Sequence, residues 1–133
     1  MARAGLLLPC SETPLLPWCE RVLIDIGDEQ SLQQNLSTFS GHIQRIRRIL
    51  ESLNTVQGSA LVLLDEVGAG TDPTEGSALA IALLRTLAER VRLTIATTHL
   101  GELKSLKYND SRFENVSVAF DSETLLPTYN LQW

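Results

Sequence analysis

The feature that most constrains the fold is an uninterrupted apolar run, Ala60-Leu-Val-Leu-Leu64, which ends in the carboxylates Asp65 and Glu66. A strand with one covered face alternates apolar and polar residues, whereas a parallel strand covered on both faces is apolar throughout. The run therefore predicts a central parallel strand that is buried on both faces. Because an unpaired charge is costly to bury, the two acids must meet water, a cation or hydrogen-bond donors where the strand ends.

The segments around this run complete an α/β pattern. Residues 21–27 and 92–98 are short and apolar, which predicts two further strands, the first of them buried. Residues 75–90 are rich in Ala and Leu and predict a helix between the second and third strands. The order strand, helix, strand is typical of a parallel crossover. Residues 115–121 and 128–133 alternate around a polar turn, which predicts a C-terminal antiparallel hairpin.

A second helix is predicted over residues 41–57, because apolar residues recur there every three or four positions. Its apolar face carries Ile43, Ile46, Leu50 and Leu53, and its other face carries Arg45, Arg47, Arg48 and Glu51. We interpret the arginines as a solvated surface. Ser37, Thr38 and Ser40 stand near its start, where hydroxyl groups can cap unpaired N–H groups.

Composition limits the class of protein. The 133 residues leave room for one domain, and 11 basic against 16 acidic residues give a net charge of −5. This balance is too acidic for binding nucleic acid by net charge alone. No apolar run approaches the length of a membrane span, so no membrane is expected as a partner. The only cysteines, Cys10 and Cys19, support neither a disulfide framework nor a zinc site, which favours a reducing, cytoplasmic location.

We do not expect the N-terminal residues to be an export signal. The apolar stretch Leu6–Leu8 is short, and Pro9 stands where a cleavage site needs a small residue. We interpret this stretch as the end of a helix that Pro9 breaks.

Chemistry-bearing residues follow the predicted parallel strands at their carboxyl ends, where α/β sheets bind ligands. Asp65 could hold a hydrated Mg²⁺, and Glu66 could orient and deprotonate an attacking water. His99, after the next strand, could contact a transferring phosphoryl group. An ordinary strand end with solvated acids and a lone surface histidine remains the alternative on these residues alone.

The loop between strand and helix is elaborate. It holds Gly68, Gly70, Thr71, Asp72 and Pro73. Glycines permit close backbone approach to a ligand or partner. Plain turn chemistry, with Asp72 or Thr74 as the helix cap, explains most of these residues but not their clustering with the acids.

Four motifs stand in order along the chain: Leu36-Ser-Thr-Phe-Ser-Gly-His42, Leu61-Val-Leu-Leu-Asp-Glu66, Gly68-Ala-Gly-Thr-Asp-Pro-Thr-Glu-Gly76 and Thr97-Thr-His99. Their order and intervals closely resemble the ATPase domain of the MutS family, from the first residues to Trp133. Within that family the chain is similar to the second bacterial paralogue, the anti-recombination branch. The resemblance implies part of a P-loop NTPase fold of the ABC class.

The resemblance also implies roles for the strand-end residues. Asp65 and Glu66 match the Walker B pair, Asp65 acting on Mg²⁺ and Glu66 on the hydrolytic water. His99 matches the switch histidine near the γ-phosphate of ATP.

Further roles are implied for the nucleotide-binding segments. Ser37, Thr38 and Gly41 match the signature segment, which reaches across a dimer to nucleotide held by the other subunit. The matching residues of the loop that couples the two sites are Gly70, Thr71 and Asp72. Asp28, Glu29 and Gln30 lie where related ATPases place a metal or water contact.

The chain has no glycine-rich loop ending in Gly-Lys-Ser/Thr, since its only lysines, Lys104 and Lys107, do not follow glycine. Without such a loop nothing here cradles the β- and γ-phosphates. We therefore expect residues 1–133 to be the C-terminal part of an ATPase domain, inactive alone, with Met1 internal to a longer protein. The strand containing Ile95 should then have an unpaired edge, which predicts self-association or a cover formed by the C-terminal segment.

For the parent protein, the resemblance implies a homodimeric ATPase that clamps DNA, suppresses recombination and often carries a nuclease module. In some bacteria it also implies action on collided ribosomes. Two alternatives remain open on the sequence. A transporter or condensation ATPase of the ABC class predicts a Ser-Gly-Gly signature that this chain lacks, and a non-catalytic interaction domain could keep the fold without the phosphate loop.

Overall fold

A computed structural model describes residues 5–10, 12–26, 38–54, 59–124 and 126–133. The elements are β1 (Arg21–Asp25), α1 (Thr38–Leu53), β2 (Ala60–Leu64), α2 (Pro73–Arg90), β3 (Leu93–Ala96), a 3₁₀ helix (Gly101–Ser105), α3 (Leu106–Asn109), β4 (Ser117–Phe120) and β5 (Pro127–Gln132). The chain is thus an α/β protein, as its sequence pattern predicts.

Three parallel strands form the main sheet in the order β1-β2-β3. In the register, Asp25 lies beside Leu64, and Leu64 lies beside Ala96. All three strands therefore end at the same edge. The residues that follow them, including the predicted acids, are brought together at this carboxyl edge.

One face of the sheet carries the core. Val62 and Leu64 on β2 are buried against α2, where Leu87 is 0% exposed. Ile49 joins this cluster from α1, and Leu100 joins it from the segment after β3. Burying a side chain of this size stabilises a fold by roughly 1.5–3 kcal/mol. The covered face thus fixes the sheet against both long helices.

The prediction that β2 is covered on both faces is wrong for the described residues. Buried and half-buried positions alternate along β2. The same open face includes Val22 and Ile24 of β1 and Leu93 and Ile95 of β3, which are 41–54% exposed. The prediction that β1 is a buried strand is wrong for the same reason. The apolar pattern is present, but no described element packs on this face.

The predicted C-terminal hairpin is confirmed, with β4 and β5 paired antiparallel and an irregularity between Val118 and Phe120. This pair forms a separate two-stranded sheet. Within the described residues the hairpin does not pair with the free edge of β3, so the predicted C-terminal strand cover is not found there.

The helix bounds differ from those predicted. Helix α1 starts three residues before Gly41 and ends at Leu53, and residues 55–58 lie outside the described part. Residues 6–10 are not helical, so the interpretation of Leu6–Leu8 as a helix end is wrong. Among the described residues, no helix is long and apolar enough to cross a membrane.

Candidate functional site

The centre of the carboxyl edge is Asp65, which is half-buried directly after β2. The hydroxyl of Thr97, directly after β3, donates to the Oδ1 of Asp65. The same hydroxyl oxygen accepts the backbone N–H of Glu66 at 3.0 Å. The Thr97 hydroxyl therefore holds both members of the acidic pair: it bonds to the side chain of Asp65 and to the main chain of Glu66.

Glu66 has a left-handed backbone with φ of 50° and is exposed. This conformation is uncommon outside glycine and is found where surrounding structure enforces it. Here the bond to Thr97 and the bond from the Val67 N–H to the Thr97 carbonyl, at 2.9 Å, enforce it. The chain therefore turns sharply after Asp65 and leaves the Glu66 carboxylate accessible to water.

His99 is placed at the same edge by the hydrogen bonds and packing of the two residues beside it, Thr98 and Leu100. The hydroxyl of Thr98 donates to the Val67 carbonyl at 3.0 Å and accepts the N–H of Leu100 at 3.1 Å. Leu100 is 6% exposed, so it anchors the segment in the core, while the His99 side chain is exposed. Asp65, Glu66 and His99 thus lie on two adjoining segments of one edge, as the sequence predicts.

The loop after Glu66 passes very close to the start of α2. A β-carbon added at Gly76 would lie 2.2 Å from the carbonyl oxygen of Gly68. Gly68 has φ of +85°, and a β-carbon there would lie 2.6 Å from a methyl group of Leu100. The two glycines let the loop pack against both α2 and the segment that carries His99. Sequence reasoning used Gly68 but gave Gly76 no role.

Two of the three loop residues assigned to coupling, Thr71 and Asp72, already have hydrogen-bond partners. Asp72 is the N-cap of α2, and its Oδ1 accepts the N–H groups of Thr74 and Glu75 at 2.9 and 3.3 Å. This confirms Asp72 as the cap and not Thr74. Thr71 donates its hydroxyl to Glu75 at 3.3 Å, and Gly70 is exposed with φ of +85°. The loop is therefore held rigidly beside the carboxyl edge.

The signature segment is described only in part. Thr38 is the first residue of α1, and Gly41 follows in its first turn. Ser37 lies outside the described residues, as do Asp28, Glu29 and Gln30. The predictions for those four positions therefore remain predictions.

Sequence reasoning missed a buried ionic cluster that joins this helix to the sheet. Asp25, the last residue of β1, is 1% exposed. Its Oδ2 lies 2.9 Å from the Nδ1 of His42, and its Oδ1 accepts a hydrogen bond from the Nε of Arg45. The side chain of Arg45 is 39% exposed but is ion-paired to this buried carboxylate, so Arg45 is not only a solvated surface charge. By contrast, Arg47 and Arg48 are exposed, and Arg47 pairs with Glu51 at 2.7 Å.

The donor set fits a Mg²⁺ ion only in a shared site. No group of three or more His, Cys, Asp or Glu side chains arranged for a metal occurs among the described residues. Mg²⁺, however, is commonly held by one or two carboxylates together with phosphates and water. Of the two carboxylate oxygens of Asp65, Oδ1 accepts a hydrogen bond from Thr97. Oδ2 has no hydrogen-bond partner among the described residues, so it is available for such a contact.

Comparison with known proteins gives a consistent result. The family profile of MutS domain V matches residues 1–132. The chain is 62% identical to Endonuclease MutS2 of Synechocystis sp. over 148 aligned positions, which cover 100% of this chain and 18% of that protein. It is 56% identical to Endonuclease MutS2 of Symbiobacterium thermophilum and 53% identical to that of Halothermothrix orenii, each over 98% of this chain and 16% of the relative.

The chain thus spans 16–18% of the length of the relatives it matches. The family profile covers almost the whole chain, and the identities exceed half of the aligned residues. We conclude that this chain belongs to the MutS family, in its MutS2 branch.

Proposed function

We propose that residues 1–133 are the C-terminal part of a P-loop ATPase domain within a longer, MutS2-type protein. The observation that supports this most directly is the Thr97 hydroxyl, which is bonded to both Asp65 and the Glu66 main chain at the carboxyl edge. This arrangement fixes one carboxylate and leaves the next one accessible. Hydrolysis of a phosphoanhydride can use such a pair, one carboxylate for the cation and one for the water.

In this proposal Asp65 would hold Mg²⁺ through the carboxylate oxygen that Thr97 does not bond. The ion would neutralise charge on the phosphates of ATP. Glu66 orients the hydrolytic water and accepts its proton, which its exposed position permits. His99, on the adjoining segment, donates a hydrogen bond to the γ-phosphoryl group, where negative charge is greatest.

The remaining assignments concern the nucleotide across a dimer. Thr38 and Gly41, in the first turn of α1, and Ser37, which precedes them in the sequence, would contact nucleotide held by a second subunit, because a helix N-terminus favours anions. Gly70, Thr71 and Asp72 would carry the coupling between the two sites. Gln30 would contact the metal or water. The phosphate-binding loop that this chain lacks would be supplied by another part of the same protein.

We further propose that the whole protein acts on DNA, since the relatives are named as endonucleases of the MutS2 type. Clamping DNA as a homodimer, suppression of recombination and action on ribosomes would all require residues outside this chain. The net charge of −5 of residues 1–133 agrees with a DNA-binding surface that lies elsewhere in the protein, because an acidic segment is not attracted to the phosphates of DNA.

The test is steady-state ATP hydrolysis by the full-length protein that carries this segment. Glu66→Gln keeps the shape of the side chain and removes the base, so we expect turnover to fall by at least about 100-fold. Binding of ATP should persist. Glu123→Gln, in the turn of the C-terminal hairpin, is the matched control and should keep wild-type turnover. Equal turnover of Glu66→Gln and wild type would refute the proposal.

A further inference from the structure

The buried carboxylate of Asp25 belongs to none of the roles proposed above. It ends an otherwise apolar strand and is 1% exposed, an environment in which an unpaired carboxylate would be very unfavourable. Both of its side-chain partners, His42 and Arg45, come from one face of α1, three residues apart. The pairing is therefore a connection between one strand end and one helix.

The main-chain carbonyl of Asp25 is bonded to one of the proposed catalytic acids and not to α1. Its carbonyl oxygen accepts the N–H of Asp65 at 2.8 Å. Asp25 is thus bonded through its backbone to Asp65 and through its side chain to α1.

The hydrogen bonds also define the state of His42. A carboxylate only accepts, so the Nδ1 of His42 must carry the hydrogen that it donates to Asp25. The Nη2 of Arg45 lies 3.2 Å from the same Nδ1 and is itself only a donor, so this contact is not a hydrogen bond. Two donors therefore converge on Asp25, and the carboxylate holds them together.

The position of the cluster on α1 gives it a consequence for the site. His42 stands four residues after the first residue of α1, which places it about one turn from the start of the helix. Arg45 also lies against Gly41, where a β-carbon would be 3.4 Å from its Nη1. The cluster therefore holds the first two turns of α1, where the nucleotide-contacting signature residues are proposed to lie.

Resting on the proposed function, we infer that Asp25, with His42 and Arg45, is a positioning group that sets the start of α1 relative to Asp65 and Glu66. Its effect falls on the rate of hydrolysis and not on the binding of ATP. In the proposed function, the signature segment completes the site only when two subunits close on a nucleotide. The phosphates are bound mainly by another part of the protein, so the affinity for ATP should not depend on the signature segment. Misplacing a reacting group by about 1 Å can cost about 100-fold in rate.

The experiment compares Arg45→Gln with Arg48→Gln in the full-length protein. Arg48 lies on the same helix and is exposed, and it has no ion pair within the described part of the chain. We expect Arg45→Gln to lower kcat at least fivefold with KM for ATP changed less than twofold, and Arg48→Gln to match the wild type. Arg45→Lys keeps the charge and should recover part of the lost kcat. Asp25→Asn should resemble Arg45→Gln.

Hydrogen exchange on the same proteins provides a readout that does not depend on catalysis. In Arg45→Gln, amides of residues 39–45 should exchange faster, while those of 60–64 and 77–87 should not change. Equal exchange and equal kcat in Arg45→Gln and Arg48→Gln would overturn the inference, as would faster exchange with an unchanged kcat. A proportional loss of kcat and thermal stability with faster exchange throughout would show a purely structural role and overturn it too.

The two proposals can fail separately. If wild-type hydrolysis does not depend on Glu66, the proposed function fails and the positioning role in hydrolysis fails with it. The exchange comparison would still establish whether Asp25 anchors α1. If hydrolysis depends on Glu66 but not on Arg45, only the positioning inference is overturned.

Discussion

Thr97 donates its hydroxyl hydrogen to the carboxylate of Asp65, and this single bond joins the ends of two neighbouring strands. The same oxygen accepts the N–H of Glu66, so Thr97 controls the orientation of one acid and the backbone of the next. Both bonds depend on the single hydroxyl of Thr97, an exposed residue. The hydroxyl can therefore be removed without disturbing the buried face of the sheet.

Thr97→Val in the full-length protein should lower the turnover of ATP about tenfold, which corresponds to about 1.4 kcal/mol in the activation barrier. Valine keeps the β-branched shape but cannot hold Asp65 or satisfy the Glu66 N–H. Thr97→Ser keeps the hydroxyl and should stay within about threefold of the wild type. Steady-state kinetics with both variants is the measurement. Equal losses in the two variants would show that the hydroxyl alone does not account for the role of Thr97.

Gly76→Ala should destabilise the chain by about 1–3 kcal/mol, because the new methyl group overlaps the backbone oxygen of Gly68 at 2.2 Å. The overlap is between main-chain positions of Gly68 and Gly76, so it cannot be relieved by rotating a side chain. Gly101→Ala is the control, since a β-carbon there meets nothing within 4 Å, and it should change stability by less than about 0.5 kcal/mol. Thermal unfolding measures both. Matching transition temperatures for the two variants would contradict the proposed contact.

Much of the architecture could be predicted because it follows from local patterns. The apolar run ending in Asp65 is a strand, and the Ala- and Leu-rich segment after it is a helix capped by Asp72. Alternation near the C-terminus predicted the hairpin. These signals reside within one element, so a single sequence carries them. The placement of Asp65, Glu66 and His99 on one edge then followed from the parallel order of the strands.

What could not be predicted depends on contacts between distant segments. Arg45 has the spacing of a surface residue, and only its partner on β1, 20 residues away, makes it part of a buried cluster. A signal was present in Asp25, since a carboxylate inside an apolar strand requires a partner. The open face of the sheet could not be predicted either, because an apolar pattern shows what a strand can bury and not what covers it.

The ion pair of Asp110 and Arg112 predicts a local pH dependence. The Arg112 guanidinium donates to Oδ1 of Asp110 at 2.9 Å and to Oδ2 at 2.6 Å, and the backbone N–H of Arg112 also donates to Asp110. Together these bonds lower the pKa of Asp110 to about 2. Because the folded pKa lies below the ordinary value of 3.8, the stabilisation is present well above that value, declines as the pH falls below it and is lost as the pH falls through about 2.

Titration of the carboxyl carbons by NMR tests this dependence. Arg112→Gln should move the titration midpoint of Asp110 most of the way back to its ordinary value, because the bonds from the guanidinium are lost. The return should be incomplete, because the bond from the backbone N–H remains. Asp121 serves as the internal control, because backbone N–H groups of Thr124 and Glu123 lower its pKa without any arginine. Its midpoint should be the same in both proteins. A parallel rise at Asp121 would point to a general loosening of the fold.

The open sheet face and the free edge of β3 predict that the purified chain self-associates. Ile95 is 54% exposed on that face, and within the described residues β3 pairs only with β2. Ile95→Glu should shift light-scattering masses toward the monomer by placing a charge where a second copy would dock. Val116→Glu changes a residue of similar exposure, 47%, outside any strand, and should leave the association unchanged. A concentration-independent monomer in the unmodified chain would contradict the prediction.

The purified chain should also neither hydrolyse ATP nor bind it tightly. It contains the two strand-end acids but no Gly-Lys-Ser/Thr loop, and phosphates are held chiefly by the backbone amides and lysine of such a loop. A carboxylate edge without them repels the triphosphate unless a cation is held there jointly. Calorimetric titration with Mg²⁺ and ATP should therefore show no saturation below about 1 mM, a free energy weaker than about −4 kcal/mol. The full-length protein should saturate well below that concentration. Turnover by the chain alone that Glu66→Gln abolished would mean that these residues can grip phosphate in a way their sequence does not reveal.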